Sequence, residues 1–231
     1  MALVELRQVS KCYQFGDTTI TALNRIDLTI DEHEFVALWG PSGSGKTTIC
    51  NLIGLLDNPS AGSIHIRQQA VSGWPDAALS TFRNESIGFV FQNFNLIPVL
   101  SAVENVMLPL RIRGVNAKQA RALAEQQLDQ VGLTRYYKQR PRKLSGGQQQ
   151  RVAIARAMVA GPSLIIADEP TANLDTETAH KIIELMMTIH SEQGTTFIFS
   201  THDQRLLARV KRQVLLRDGM ICDDNTLSNR I

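Results

Sequence analysis

Eight residues, GPSGSGKT at 40–47, limit what this chain can fold into more tightly than any other stretch. The pattern G-x-x-x-x-G-K-[ST] is a loop whose glycines let successive backbone N–H groups turn inward on an anion. Such a loop works where a strand delivers the chain to it and a helix leaves it, because the helix N-terminus adds its partial positive charge. EFVALW (34–39) has the β-branched and aromatic content of a strand, and Ile49, Leu52, Ile53 and Leu56 recur afterwards at helical spacing. The sequence therefore places a phosphate-bearing ligand on Gly40, Pro41, Ser42, Gly43, Ser44 and Gly45, with Lys46 reaching its outer phosphates. The Thr47 hydroxyl is a ligand for Mg²⁺, and Thr48, next in the chain, joins the loop in binding the phosphates.

Around this loop the pattern alternates. LVELRQV (3–9), IDLTI (26–30), SIHI (63–66) and IGFVF (87–91) read as strands. From Ser101 to Ala160 the period becomes helical: Ser101 and Glu104 have capping-box spacing, and Asn116 caps a second helix with Ala120, Ala124, Leu128 and Val131 on one face. Gly132 is placed to end that helix, and the alanine-rich run at 152–160 is a third. Strand–helix alternation then resumes: LIIA (164–167), a helix with Ala179, Ile182, Ile183, Met186 and Ile189 on one face and Gly194 at its end, TTFIFS (195–200), a short helix, and QVLLR (213–217). This order predicts an α/β fold with a mainly parallel sheet covered on both faces. Residues 93–160 read as a helical insertion, and DDNTLSNRI (223–231) as a loose tail.

Several strand ends carry chemistry. LIIADE (164–169) is an apolar strand ending in two carboxylates. Asp168 is placed to hold Mg²⁺, and Glu169, projecting differently, to polarise an attacking water as a general base. Gln92 follows IGFVF and offers a neutral amide to Mg²⁺ or to the water. His202 follows TTFIFS, where a neutral imidazole can contact a terminal phosphate, while His33, His65, His180 and His190 read as surface or boundary residues. Tyr13 offers an aromatic ring for stacking on a base. LSGGQQQR (144–151) reads as a helix start whose serine and bare backbone suit an anion, a second such site in one chain.

Composition excludes other classes. The 231 residues are 43% hydrophobic and 20% charged, and the net charge of +2 is spread among scattered basic residues, which argues against a nucleic-acid partner. Cys12, Cys50 and Cys222 lie far apart with no CxxC spacing, so neither a zinc site nor a disulfide framework is expected, and the thiols suit a reducing compartment. MALVELRQVSK lacks the basic-then-apolar pattern of a signal peptide, and no apolar run approaches the ~20 residues of a membrane span. Work at a membrane would go through a partner.

GPSGSGKT, FVFQ, LSGGQQQR, LIIADEP, ANLD and STHD, in that order, resemble the motif set of the ATP-binding subunits of ATP-binding-cassette (ABC) transporters over essentially the whole chain. The resemblance implies a phosphate-loop NTPase fold with a parallel core, an N-terminal antiparallel β subdomain and an inserted α-helical subdomain. Residues 1–92 and 161–231 would form the core and 93–160 the helical part of a single ATPase domain. It implies ATP and Mg²⁺ as cofactors, Tyr13 on adenine, Gln92 as the coupling glutamine, Glu169 as catalytic carboxylate and His202 as the switch histidine. Ser145, Gly146 and Gly147 would bind the γ-phosphate of ATP held by a second copy, with the Ser145 hydroxyl free for it, and Asp175 would contact that copy. Gln148 to Arg151 would support the helix and its interface.

The stretch FQNFNLIPVLSAVENVMLPL (91–110) is most similar to the lipoprotein-releasing and macrolide-exporting subgroup, whose ATPases act as homodimers under transmembrane permeases with a periplasmic domain. That implies a peripheral position on the cytoplasmic face of a bacterial inner membrane. Trp39 and Ala172 depart from the family's usual small aliphatic and glycine, and neither removes a catalytic group. An importer ATPase is the alternative reading. A soluble ABC ATPase of DNA repair or translation lacks its coiled-coil insert or second cassette here, and a non-catalytic module would not carry both Glu169 and His202.

Overall fold

The chain opens with a hairpin much longer than its sequence pattern predicts. Strands β1 (Ala2–Phe15) and β2 (Thr18–Asp31) run 14 residues each. Their outer halves, near Tyr13 and Ile20, are exposed or half-buried, so side-chain alternation gives no signal there and the pairing rests on backbone hydrogen bonds. Strand β3 (Phe35–Trp39) leads to helix α1 (Lys46–Ile53), followed by β4 (Ala61–Ile66), β5 (Gln69–Ala70), α2 (Asp76–Ser86) and β6 (Ile87–Phe91). Helices α3 (Ala102–Ile112), α4 (Ala117–Gln130) and α5 (Gly146–Met158) come next, then β7 (Leu164–Asp168), α6 (Thr176–Gln193), β8 (Thr196–Thr201), α7 (Gln204–Leu207), β9 (Arg212–Arg217) and β10 (Met220–Thr226). The structure is a computed structural model that describes residues 1–226.

Two sheets result. An antiparallel sheet has the order β2-β1-β4-β5, and a six-stranded sheet has the order β10-β9-β3-β8-β7-β6. In the larger sheet all pairs are parallel except β9 with β10. Parallel strands with both faces covered read as apolar runs, and neighbouring residues go to opposite faces. Ile165, Ala167, Phe197 and Phe199 join the core beneath α3–α6, while Leu164, Ile166 and Ile198 join the core shared with α1 and the antiparallel sheet. The rings of Phe35 and Phe199 lie 4.4 Å apart, and such a pair adds about 0.5–1.5 kcal/mol beyond its buried area. Trp39 is half-buried against the core under the helices, on the same face as Ala37.

Local signals set most boundaries. Ser101 and Glu104 form the expected capping box, Asn116 caps α4, and Gly132 and Gly194 follow their helices with φ of 74° and 65°. Two expectations are corrected. Helix α1 ends at Ile53, where Gly54 caps it, so Leu56 leaves the buried face and stands 48% exposed. Residues 223–226 of the expected loose tail pair with β9 instead, Asp223 opposite Leu215 and Asp224 opposite Val214, with Arg212 bonded to the Asp224 carboxylate; 227–231 lie outside the described residues. Helix α2, whose polar surface hides its period, had no sequence expectation.

The approach of α5 to the sheet depends on Gly88 in β6. A Cβ there would stand 2.5 Å from the Ala157 carbonyl oxygen, a backbone atom with little room to yield. Gly88→Ala is expected to destabilise the protein by about 1–3 kcal/mol, read as a lower urea midpoint with an unchanged slope.

Candidate nucleotide site

Strand β3 stops at Trp39, and the loop crosses the carboxyl edge of the parallel sheet before α1 begins at Lys46. Gly40, Gly43 and Gly45 have φ of 145°, 78° and 101°. A Cβ on Gly40 would stand 2.0 Å from the Leu216 carbonyl oxygen, and one on Gly45 would stand 2.6 Å from the Leu23 side chain. Bare backbone is thus required at both ends of the loop. The loop walls a cleft of about 640 Å³, lined by Ala22, Gly40, Pro41, Ser42, Gly43, Ser44, Gly45, Lys46, Thr47, Thr48, Gln92, Glu169 and His202. The strand ends carrying Gln92, Glu169 and His202 reach the cleft because β6, β7 and β8 run parallel to β3 in one sheet.

The lining fits a nucleotide's phosphates. The Ser44 hydroxyl is buried without a hydrogen-bond partner, an unused donor inside the loop. The Lys46 ammonium is nearly buried and donates to the carbonyls of Gly40 (3.0 Å) and Pro41 (2.9 Å), folded over the nest it would share with an anion. The Thr47 hydroxyl stands 3.3 Å from Asp168 Oδ1, and Ser200 Oγ donates to that same oxygen at 2.6 Å. A hydroxyl beside a carboxylate is a hard oxygen set suited to Mg²⁺. Among the described residues no group of three or more His, Cys, Asp or Glu is set for a metal, so such an ion would complete its shell with phosphate oxygens and water.

Glu169 occupies the left-handed region, with φ of 50°, and its N–H donates to the Ser200 carbonyl. Its side chain is 17% exposed, and Oε1 accepts the His202 Nδ1–H at 2.8 Å. The carboxylate selects that tautomer, which leaves Nε2 of the 71% exposed imidazole open at the rim. Behind His202, Arg205 beside Asp203 holds that carboxyl down to about 2. Asp203 also accepts the Thr171 hydroxyl at 2.9 Å, tying the loop after Glu169 to the loop after His202.

Gln92 is exposed and lines the cleft. Its carbonyl accepts a hydrogen bond from Asn173 Nδ2, which also donates to Asn93 Oδ1, each at 3.0 Å. Tyr13 does not line the cleft. It lies half-buried on β1 and donates to Asp57 at 2.9 Å, with Lys11 Nζ 4.9 Å over one ring face; burial, first, and the Asp57 contact raise its hydroxyl's pKa.

Ser145, Gly146, Gly147 and Asp175 are brought together, but none lines the cleft. Ser145 caps α5: its hydroxyl oxygen accepts from Gln148 N–H, and the Gln148 side chain accepts from Ser145 N–H. The expected free hydroxyl is therefore corrected, since its oxygen caps the helix and only its proton is left to donate. Asp175 caps α6 through Thr178 N–H, and the Thr178 side chain, first, and that N–H hold its carboxyl below the usual range. A Cβ on Gly147 would stand 2.4 Å from Thr178 Cγ2, so the two helix starts abut. Gln148, Gln149 and Arg151 support α5 as expected, with Gln149 on the Leu144 carbonyl and Arg151 on the Val131 carbonyl. Gln150 belongs to the stretch expected to support the helix, but its amide's bond to the Pro170 carbonyl had no sequence expectation, and neither had Asn173 and Ser200, which complete the surroundings.

With this geometry in hand, the family described as ABC transporter matches residues 23–172. The lipoprotein-releasing system ATP-binding protein LolD of Geobacter metallireducens is 44% identical over 223 residues, covering 96% of this chain and 99% of that protein. The macrolide export ATP-binding/permease protein MacB of Syntrophobacter fumaroxidans is also 44% identical, over 96% of this chain but 31% of that protein. Among solved structures, the dimeric post-hydrolysis state of the ATP-binding cassette MJ0796 bound to ADP and Pi superposes with a TM-score of 0.91 at 42% identity, over 98% of this chain and 99% of that one.

Proposed function

The chain belongs to the ABC transporter family, and from that premise we propose how its own residues bind and hydrolyse ATP and to what they pass the work. It is the ATP-binding, ATP-hydrolysing subunit of such a transporter. The phosphates of ATP lie in the nest of Gly40–Gly45, where Ser44 donates its unused hydroxyl proton and Lys46 turns from two carbonyls to the β- and γ-phosphates. Tyr13, held through its hydroxyl by Asp57, offers its ring to adenine. Thr47, Asp168 and Gln92 would hold Mg²⁺, which would supply positive charge beside the transferring group. Glu169 takes a proton from water through Oε2 as the water oxygen bonds to the γ-phosphorus and the bond to ADP breaks. His202 keeps Oε1 in place, and as an imidazolium, with Nδ1–H on Oε1, it donates Nε2–H to the γ-phosphate.

The observation that carries the rest is the separation of the two anion sites. Ser145, Gly146, Gly147 and Asp175 share one surface and do not line the cleft. A second copy, head to tail, brings the α5 start of one chain over the ATP of the other, with Ser145 donating its remaining proton and the Gly146 and Gly147 N–H groups facing the γ-phosphate. ATP binding closes this dimer and hydrolysis releases it. The dimeric MJ0796 cassette supports the arrangement.

The region around Gln92 to Arg113 feels closure and transmits it. A groove of about 450 Å³ between β6, α2, α3 and α5 exposes Leu56 and the 70% exposed Ile112, with Arg83 and Arg156 on its walls. Arg156, its charge disfavoured by burial, donates to the carbonyls of Phe94 and Asn95, just beyond Gln92. A cytoplasmic segment of a membrane permease seats in this groove and is thereby wired to Gln92. No helix of the described residues is long and apolar enough to cross a membrane, so the chain sits peripherally at the inner face through that permease. The lipoprotein-releasing and macrolide-export relatives favour a partner with a periplasmic domain worked mechanically.

Two experiments test this reading. Glu169→Gln is expected to keep ATP binding, lower turnover at least ~100-fold and accumulate ATP-bound dimers on size exclusion; near-normal turnover would remove Glu169 from the role of base. Ile112→Asp should leave ATP binding by the isolated chain intact yet reduce co-purification of the membrane subunits, and unchanged co-purification would move the docking site elsewhere.

A further inference from the structure

Gln150 lies on α5, six residues after the Leu144 that opens the signature stretch, and is fully buried. Its Nε2 donates to the Pro170 carbonyl at 2.7 Å, while its Oε1 is buried with no hydrogen-bond partner. For stability alone this is a poor residue. A buried acceptor left unpaired carries a desolvation cost, and an apolar side chain of the same shape would avoid it. The bond it makes falls on the carbonyl of Pro170, the residue directly after Glu169.

That stretch of backbone needs an outside hold. Glu169 has φ of 50°, which a residue with a side chain rarely adopts. It also precedes a proline, which favours extended backbone at that position. Glu169 N–H is anchored to the Ser200 carbonyl on one side, and on the other the Gln150 amide grips Pro170, which has no N–H of its own to anchor it.

We propose that Gln150 is a positioning residue for hydrolysis, holding Glu169 in its left-handed conformation from the helix that begins at Ser145. This rests on Glu169 being the base. Because Ser145 and Gln150 share one rigid helix, the group that meets the partner's ATP and the group that aims this chain's own carboxylate move together. Its action is on the chemical step, since the bond touches neither the phosphate loop nor the adenine side.

The test compares Gln150→Met and Gln150→Leu with wild type, alone and combined with Glu169→Gln, in the chain co-purified with its membrane subunits. Both variants are expected to melt at or above the wild-type temperature, to keep KM for ATP within about twofold, and to lose kcat by roughly 10- to 100-fold, the penalty for a misplaced catalytic group. In the Glu169→Gln background they should lower kcat no further, because the group they aim is already gone. Wild-type kcat in both variants overturns the proposal, as does loss of folding in both, which would make Gln150 a structural residue. A full additional loss in the Glu169→Gln background also overturns it. Near-normal turnover of Glu169→Gln alone, by contrast, defeats the base assignment rather than the hold on Pro170.

Discussion

The structure depends on one shared edge. Four parallel strands end side by side, and each end delivers one working part: β3 the phosphate loop, β6 Gln92, β7 Asp168 and Glu169, β8 His202. The hydrogen-bonded register decides who meets whom. Asp168 lies opposite Ser200, so a hydroxyl is there to orient the carboxylate, and Glu169 follows immediately with its N–H on the Ser200 carbonyl. Apolar faces on both sides hold that register, because a one-residue slip would turn Phe197 and Phe199 out of one core and Ile198 out of the other.

The loop from Glu169 to Asp175 adds a second layer to this arrangement. It is tied at Pro170 to α5, at Thr171 to the loop behind His202, and at Asn173 to the carbonyl of Gln92. Each tie is a side-chain hydrogen bond to a different element. A loop held this way has few independent conformations, and short polar contacts join Gln92 and α5 to the residues that follow Glu169.

Much of this was legible in the sequence. The capping box at Ser101, the cap at Asn116 and the terminating glycines at 132 and 194 fall where local chemistry placed them, because caps are short-range. Candidate residues at strand ends were legible too, since a strand followed by chemistry-bearing residues marks the edge of a parallel sheet, and Gln92, Glu169 and His202 meet in one cleft. What escaped was long-range or without period. The outer halves of β1 and β2 carry little buried apolar alternation, and α2 shows a polar surface. Gln150 and Asn173 act on partners 20 and 81 residues away, where no local spacing points. The bond of Tyr13 to Asp57, 44 positions on, has no local signal either.

The central claim is that the two anion sites of one chain belong to two different ATP molecules. Its sharpest test mixes Lys46→Ala chains with Ser145→Arg chains, each unable to hydrolyse ATP alone. In a heterodimer the Ser145→Arg chain contributes an intact phosphate loop and the Lys46→Ala chain an intact α5 start, so one complete site forms and ATPase activity returns on mixing. If heterodimers form and the mixture stays as inactive as its components, the shared site is wrong.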